Sequence, residues 1–323
     1  MHLFTEFLKN FMISRIKKQK VHKLVTHNGS FHSDDLFACA VLVIMLEDQG
    51  KKFEIIRTRD EEVLKQGDYV FDVGGMYVPE LNKFDHHQRG GAGERDNGIL
   101  YASFGLVWKN FGLDLCDGDE EVFNMIDRKI VAPIDSIDNG VDIVTPKFDN
   151  IVPYGGDQPF LIFTPTWQED ESETDNIFRV QVRSVAKVLR REIEVAKADS
   201  AGRQLIVEAY KNSANKQIIE LPKSGFPRYL YQKTLSCFPE PIYVVYESAH
   251  TDNWKVEAIT KSPDTLESRK YFPESWRGFM NNDPKFGDVT GVSDAIFCHK
   301  SGFLLTVKSK EGAMKLAELA LKS

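Results

Sequence analysis

At 323 residues the chain has room for two domains on a prior of roughly 150 residues each, and its 42% hydrophobic and 28% charged residues exclude a disordered or fibrous chain. A net charge of -7 and an isoelectric point near 5.7 exclude a surface that coats polyanions generally, so any contact with nucleic acid has to be local. Cys39, Cys116, Cys237 and Cys298 stand far apart without a C-x-x-C pair, which indicates neither a zinc ribbon nor a disulfide framework and suits a reducing compartment such as the cytoplasm.

The first twenty residues carry Phe4, Phe7, Leu8, Phe11 and Met12 at helical spacing before Arg15, Lys17, Lys18 and Lys20. They read as a surface helix. An organellar targeting segment stays open, whereas Glu6 and the late charges suit a secretory signal poorly. Residues 22–26 read as a strand, 34–47 as a nearly all-apolar helix, 53–58 as a second strand and 69–73 as a third. Strand, helix, strand is the grammar of a parallel sheet with crossover helices. The longest apolar stretch, 36–46, is shorter than the about 20 residues of a membrane span.

Helices are expected at 102–110 and 120–132, the second capped by Asp117 or Asp119, and a long charged helix at 176–212. The acidic run 168–175, QEDESETD, reads as a solvated loop whose charges suit that helix's start. Strand-like segments then follow at 217–221, 242–247, 254–260 and 303–307, with a last helix at 311–321. The expected architecture is α/β: a parallel-sheet domain over 22–210 and a smaller α+β domain over 211–323. No fixed-period repeat is present.

Four elements carry chemistry. HNGSFHSDD (27–35) puts two histidines and two aspartates directly after the first strand. Asp72 stands at the carboxyl end of the third strand, on the edge where ligands gather in open parallel sheets. FDHHQRGG joins Asp85, His86 and His87 to Arg89 and a glycine-rich loop, a set suited to a divalent metal plus a phosphate oxygen. In PIDSIDNG, Asp135 and Asp138 share a helical face, and Asp138 precedes an Asn-Gly turn signal. Taken singly, Asp72 and Asp138 read as turn formers; only together do the elements suggest a metal site.

In this order, with RTRD, DVGG, PTW, WRG and HKSGF, the elements resemble the DHH phosphoesterase superfamily and most closely its MYG1 branch, UPF0160, from about residue 24 to the end. The resemblance implies metal ligation by His27, His32 and Asp34, a bridging Asp72, a second metal held by His86 and Asp138, and Asp85 orienting His86. His87 and Arg89 would face substrate phosphate. It further implies a 3′-to-5′ RNA exonuclease with two divalent ions. A histidine in place of the middle aspartate enriches the site in nitrogen and favours Mn²⁺ over Mg²⁺.

A small-molecule phosphohydrolase acting on pyrophosphate or a nucleotide is the alternative, and a non-catalytic metal or nucleotide sensor is a third reading. The chain departs from the family pattern at Asp35, where Glu is usual, and at Leu304 and Leu305, where a glycine pair would let backbone approach phosphate. In the second half, Trp276 and Arg277 of SWRGF, with His299 and Ser301, are the expected substrate contacts; Phe279, Tyr229 and Tyr231 are further candidate platforms for bases. No membrane partner is expected, and pairing of two copies stays open.

Overall fold

The computed structural model describes residues 19–149, 151–280 and 283–323. The expected N-terminal surface helix lies outside the described residues. Two compact units, Met1–Lys197 and Ala198–Ser323, divide the chain.

In the first unit, β1 (Val21–Thr26) leads into α1 (Ser33–Asp48), followed by β2 (Lys52–Arg57), α2 (Glu61–Lys65), β3 (Tyr69–Phe71), β4 (Tyr77–Val78) and β5 (Lys83–Phe84). The sheet order is β2-β1-β3-β5-β4. Its first four strands are parallel, and β4 pairs antiparallel with β5 at the edge. The sheet is therefore mixed, where the sequence suggested a parallel one. The short strands β4 and β5 carry no alternation of their own to announce them.

Helix α1 is buried from Ser33 to Met45 and on to Leu46, which explains its lack of a polar face: it is a core helix. It packs on β1, β2 and β3 and on two later helices, α3 (Ser103–Leu115) and α5 (Ala132–Asp138). Between them run α4 (Glu120–Ile126) and a π-helical turn (Asp127–Val131). Pro133 supplies a cause for the wide turn, because it lacks the N–H that would bond back to residue 129. Asp119 caps α4 by accepting from Glu121 N and Val122 N. Helix α6 (Gln158–Leu161) and the long α7 (Thr174–Asn212) follow; Phe178, Val182, Val185 and Leu189 of α7 join the core of the first unit.

The second unit holds a sheet of order β6-β7-β8-β10-β9, built from β6 (Ile218–Glu220), β7 (Tyr243–Glu247), β8 (Trp254–Ala258), β9 (Ala295–Cys298) and β10 (Leu304–Val307). Only the β6–β7 pair is parallel. Its core divides by strand alternation. Tyr243, Val245, Val256 and Ala258 pack with α10 (Lys310–Lys322), whereas Val244, Ile219 and Ile259 pack with α8 (Arg228–Ser236). Helix α9 (Pro284–Thr290) adds Phe286 to the first of these clusters. No helix among the described residues is long and apolar enough to cross a membrane.

Gly105, in the first turn of α3, donates its N–H to Asp135 Oδ1 at 2.9 Å, and a Cβ there would collide with the Asp135 carboxylate. Since the aspartate is fully buried, it has nowhere to move. Gly105→Ala is therefore expected to destabilise the fold by about 1–3 kcal/mol despite the better helix propensity of alanine. A midpoint equal to wild type in urea unfolding would contradict this.

Candidate metal centre

Three of the four parallel strands, β1, β3 and β5, deliver polar residues at their carboxyl ends. His27 follows β1, Asp72 follows β3, and Asp85 with His86 follows β5. The order β2-β1-β3 places the strands next in sequence on opposite sides of β1, and such a reversal opens a crevice at the carboxyl ends. Across it His27 Nε2 stands 3.2 Å from Asp72 Oδ2. Asp72 adopts a left-handed φ of 53°, a conformation that a short polar side chain tolerates better than most. Gly74 and Gly75, also at positive φ, complete the turn.

The start of α1 brings the next group. His32 occupies the N-cap, its backbone N–H donates to Asp35 Oδ1 at 3.0 Å, and its ring centroid lies 5.7 Å from that of His27. Asp34 turns the other way and accepts from Ser103 N at 3.1 Å and Phe104 N at 2.6 Å. The free amide groups and positive end of α3 thus meet a fully buried carboxylate. Ser103 Oγ also donates to Asp72 Oδ1 at 3.4 Å.

His86 Nε2 faces three carboxylates, at 3.1 Å from Asp138, 3.5 Å from Asp72 and 3.8 Å from Asp34. Donor atoms able to share one cation converge in three overlapping sets: His27, His32 and Asp72; Asp72, His86 and His87; Asp34, His86 and Asp138. All six residues expected as ligands, His27, His32, Asp34, Asp72, His86 and Asp138, belong to this cluster. His87 enters through Nδ1, but that atom already lies 2.8 Å from Asp85 Oδ1, and the side chain is 61% exposed.

Asp85 corrects one expectation. It accepts from Gly75 N, His87 N and His87 Nδ1, so it orients His87 and not His86. Residues two apart in extended chain come to the same side, which lets Asp85 reach His87, while the His86 and His87 rings stay in contact with centroids 4.2 Å apart.

The cluster holds more negative charge than its own donors offset. Burial drives Asp34 well above the usual carboxylate range, with the charges of Asp72 and Asp138 adding to it. Burial acts against a charged His86, yet the neighbouring carboxylates of Asp138, Asp72 and Asp34 outweigh it and push the imidazole up to about 10. Burial would likewise raise Asp72, but His27 and His86 bring it below its ordinary value. His86 Nε2 nevertheless has no hydrogen bond of acceptable geometry, and Asp35 Oδ2 is also orphaned. Burial acts against a charged His27 as well, but its hydrogen bond with Asp72 and the charge of Asp35 outweigh it and raise the imidazole. Both imidazoles are thus drawn to hold positive charge against buried carboxylates, a demand that a divalent metal also meets, so the residues fit such an ion.

Several supporting residues were given no part in the site from the sequence. Asp35 Oδ2 lies 3.3 Å from His27 Nε2. Arg57 of RTRD is buried; it donates to Gly29 O at 2.7 Å and Asp175 Oδ1 at 2.9 Å and lies 4.7 Å from the Phe178 ring. It thereby fixes the loop between His27 and His32. Arg95 joins Asp127 to Asp135, donating to the latter at 2.7 Å. The signals were an arginine inside a quoted motif and a serine at a helix start, but only tertiary contacts assign their roles.

In the second unit Trp276 is 7% exposed and belongs to the core with Phe272 and Phe286, which rules it out as an open platform for a base. The 3₁₀ turn Glu274–Trp276 points its tryptophan inward. Tyr231 is likewise buried, and its hydroxyl bonds Glu257 at 2.7 Å. Phe279 stacks on Phe286, and exposed Tyr229 donates to Asp199 Oδ1 at 2.7 Å. Arg277 spends its Nε on Phe272 O at 2.8 Å and is 29% exposed, so only its terminal nitrogens remain for a ligand. His299 Nδ1 accepts from Ser301 N at 3.1 Å, and both residues lie near the surface. Arg89 is exposed and forms no ion pair among the described residues.

Divalent metal should raise the melting temperature of chelator-treated protein, because a ligand that binds only the folded state stabilises it, by about 2.7 kcal/mol at a hundredfold excess over Kd. His86→Ala should retain the fold and lose most of that rise. An equal metal-induced shift in the variant and the wild type would remove His86 from the ligand set.

A sequence model of the family described as "Uncharacterised protein family (UPF0160)" matches residues 23–321. The MYG1 exonuclease of Rattus norvegicus is 29% identical, covering 93% of this chain and 84% of its own length. That of Homo sapiens is 28% identical over 95% and 88%, and a MYG1 protein of Chlamydia trachomatis is 30% identical over 92% and 96%. A solved exonuclease RecJ bound to manganese covers 93% of this chain and 90% of its own at 12% identity, but its TM-score of 0.27 lends that likeness no weight. With the family match running almost from end to end, the chain belongs to UPF0160, the family of the MYG1 proteins.

Proposed function

We propose that the chain is a metal-dependent phosphodiesterase that removes nucleotides from RNA in the 3′-to-5′ direction. The observation that carries the metal-dependent part is Asp72, which is common to a donor set with His27 and His32 and to another with His86. A carboxylate shared in this way suits two cations side by side, and the exonuclease names of the mammalian relatives support a nucleic-acid substrate. His27, His32, Asp34, Asp72, His86 and Asp138 would hold the ions. The imidazole nitrogens favour Mn²⁺ over Mg²⁺, which prefers an all-oxygen shell. When bound, the pair supplies Lewis acidity and acidifies a water at neutral pH.

The chain's own contribution begins with His87. Its Nδ1 is fixed by Asp85, which leaves Nε2 as the nitrogen able to exchange a proton with a leaving oxygen. Arg89 has a free planar fork for a nonbridging phosphate oxygen. Gly90, Gly91 and Gly93, all at positive φ, let the adjoining loop approach a phosphate closely. Any part for Arg277, His299 and Ser301 is secondary positioning of substrate.

The decisive assay compares RNA labelled at either end with inorganic pyrophosphate, in Mn²⁺ and in EDTA. Stepwise loss from the 3′ end with Mn²⁺ alone is the expected result. Pyrophosphate turnover without RNA turnover would replace the reading with a small-molecule phosphohydrolase, and turnover of neither would leave a sensor. His87→Ala should lower kcat by about 10²–10⁴-fold while Mn²⁺ still binds; Arg89→Ala should act mainly on KM. Full activity of His87→Ala would remove its assigned role.

A further inference from the structure

The second unit carries a cavity that none of the metal chemistry uses. Helix α8 covers Val244, Ile219 and Ile259 but begins only at Arg228. Beyond its first turn the same sheet face is left open, and Tyr246, Lys255, Glu257 and Leu304 line a cavity of about 810 Å³. That volume is in the range of small-molecule sites. Phe226, Tyr271 and Phe303 supply aromatic surface to its walls.

At its base, Glu257 is 2% exposed and held by four side chains. Its Oε1 accepts from Arg228 Nε and from Gln232 Nε2 at 2.9 Å, and its Oε2 accepts from Tyr231 OH at 2.7 Å and Tyr246 OH at 3.1 Å. A fully bonded buried carboxylate has no capacity left for a ligand, but it fixes Arg228. That guanidinium lies 5.5 Å from the Phe303 ring, the side chain stays 44% exposed, and neither terminal nitrogen has a partner among the described residues. Lys255, half-buried in the same wall, pairs with no carboxylate among the described residues. The first turn of α8 opens here without a side-chain cap; Leu230 N donates to Pro227 O at 3.0 Å, whereas the amide groups of Arg228 and Tyr229 have no partner among the described residues. Exposed Glu247 on the rim offers an acceptor.

From this geometry we propose that the cavity binds a nucleoside monophosphate unit, with phosphate on Arg228 and Lys255, base against Phe303 and Tyr271, and ribose hydroxyls toward Glu247. Aromatic surface beside a fixed arginine on an open sheet face is how single-stranded nucleotides are held without sequence reading. Ser301, on the cavity wall, then contacts ligand here. The nucleotide is either free or part of a strand, and only the strand source rests on the RNA reading above.

The test is calorimetric titration of the full chain in EDTA, where metal-dependent turnover plays no part. AMP should bind saturably, and adenosine and inorganic phosphate each about tenfold more weakly, since each supplies one half of the contacts. Arg228→Ala and Lys255→Ala should each weaken AMP by about tenfold. Lys255→Ala removes no contact of the Glu257 network, so its melting temperature should match wild type and keep the test valid if Arg228→Ala folds poorly. AMP affinity unchanged in Lys255→Ala, phosphate binding as tightly as AMP, or no saturation by about 1 mM would overturn the proposal. A short oligoribonucleotide that displaces AMP, and is weakened by the same variants, identifies the strand as source; failure to displace it identifies the free nucleotide. Loss of AMP binding with Mn²⁺-dependent RNA hydrolysis intact would sink this site alone, whereas the converse would sink only the exonuclease reading.

Discussion

Buried negative charge is the constraint around which the first unit is arranged. Asp34, Asp35, Asp72, Asp85 and Asp135 are all nearly or wholly removed from solvent, and each buried ion costs several kcal/mol unless its oxygens find donors. The fold meets that demand locally. Asp34 takes Ser103 N and Phe104 N, Asp135 takes Gly105 N and Arg95, and Asp85 takes Gly75 N with both nitrogens of His87 that face it. Three consecutive amide groups at the start of α3 thus serve two carboxylates from α1 and α5, and the helix has to begin where it does.

That arrangement leaves a remainder. Asp72 relies on Ser103 Oγ, His27 and His86, and Asp138 on His86, so two imidazoles whose affinity for a proton is raised supply positive charge among these carboxylates. A proton on His86 answers that electrostatic demand, and a divalent ion held there as proposed would compete with it. The outer ring, Arg57 and Arg95, stays clear of the donor sets but pins the loop after β1 and the start of α3. Rigid support of this kind gives the ligands one geometry rather than several.

How much was legible in the sequence follows from how local each signal is. Strands β1, β2 and β3, the core helix α1 and the long α7 rest on runs or periodicity within one segment, and the structure places them within a few residues of expectation. The residues of the donor cluster were legible because the motifs are short and chemically dense. By contrast β4 and β5 are two-residue strands whose existence depends on pairing, and α8 is too short to show a period. Trp276 illustrates the limit: beside Arg277 its composition suggested a ligand surface, but the 3₁₀ turn that buries it depends on Phe272 and Phe286 from elsewhere in the chain.

The adjacent histidines show a case where neighbours in the sequence acquire different surroundings. Their rings stay in contact, with centroids 4.2 Å apart, so what separates them is the partner each one meets. His86 turns into the carboxylates and His87 turns outward, with Asp85 holding its inner nitrogen. Under the proposed function the dipeptide would separate two duties: an imidazole nitrogen whose lone pair is committed to a cation cannot also exchange a proton, and one that exchanges a proton with substrate must stay exposed. The pairing of Asp85 with His87 and of Asp138 with His86 sets that difference in surroundings.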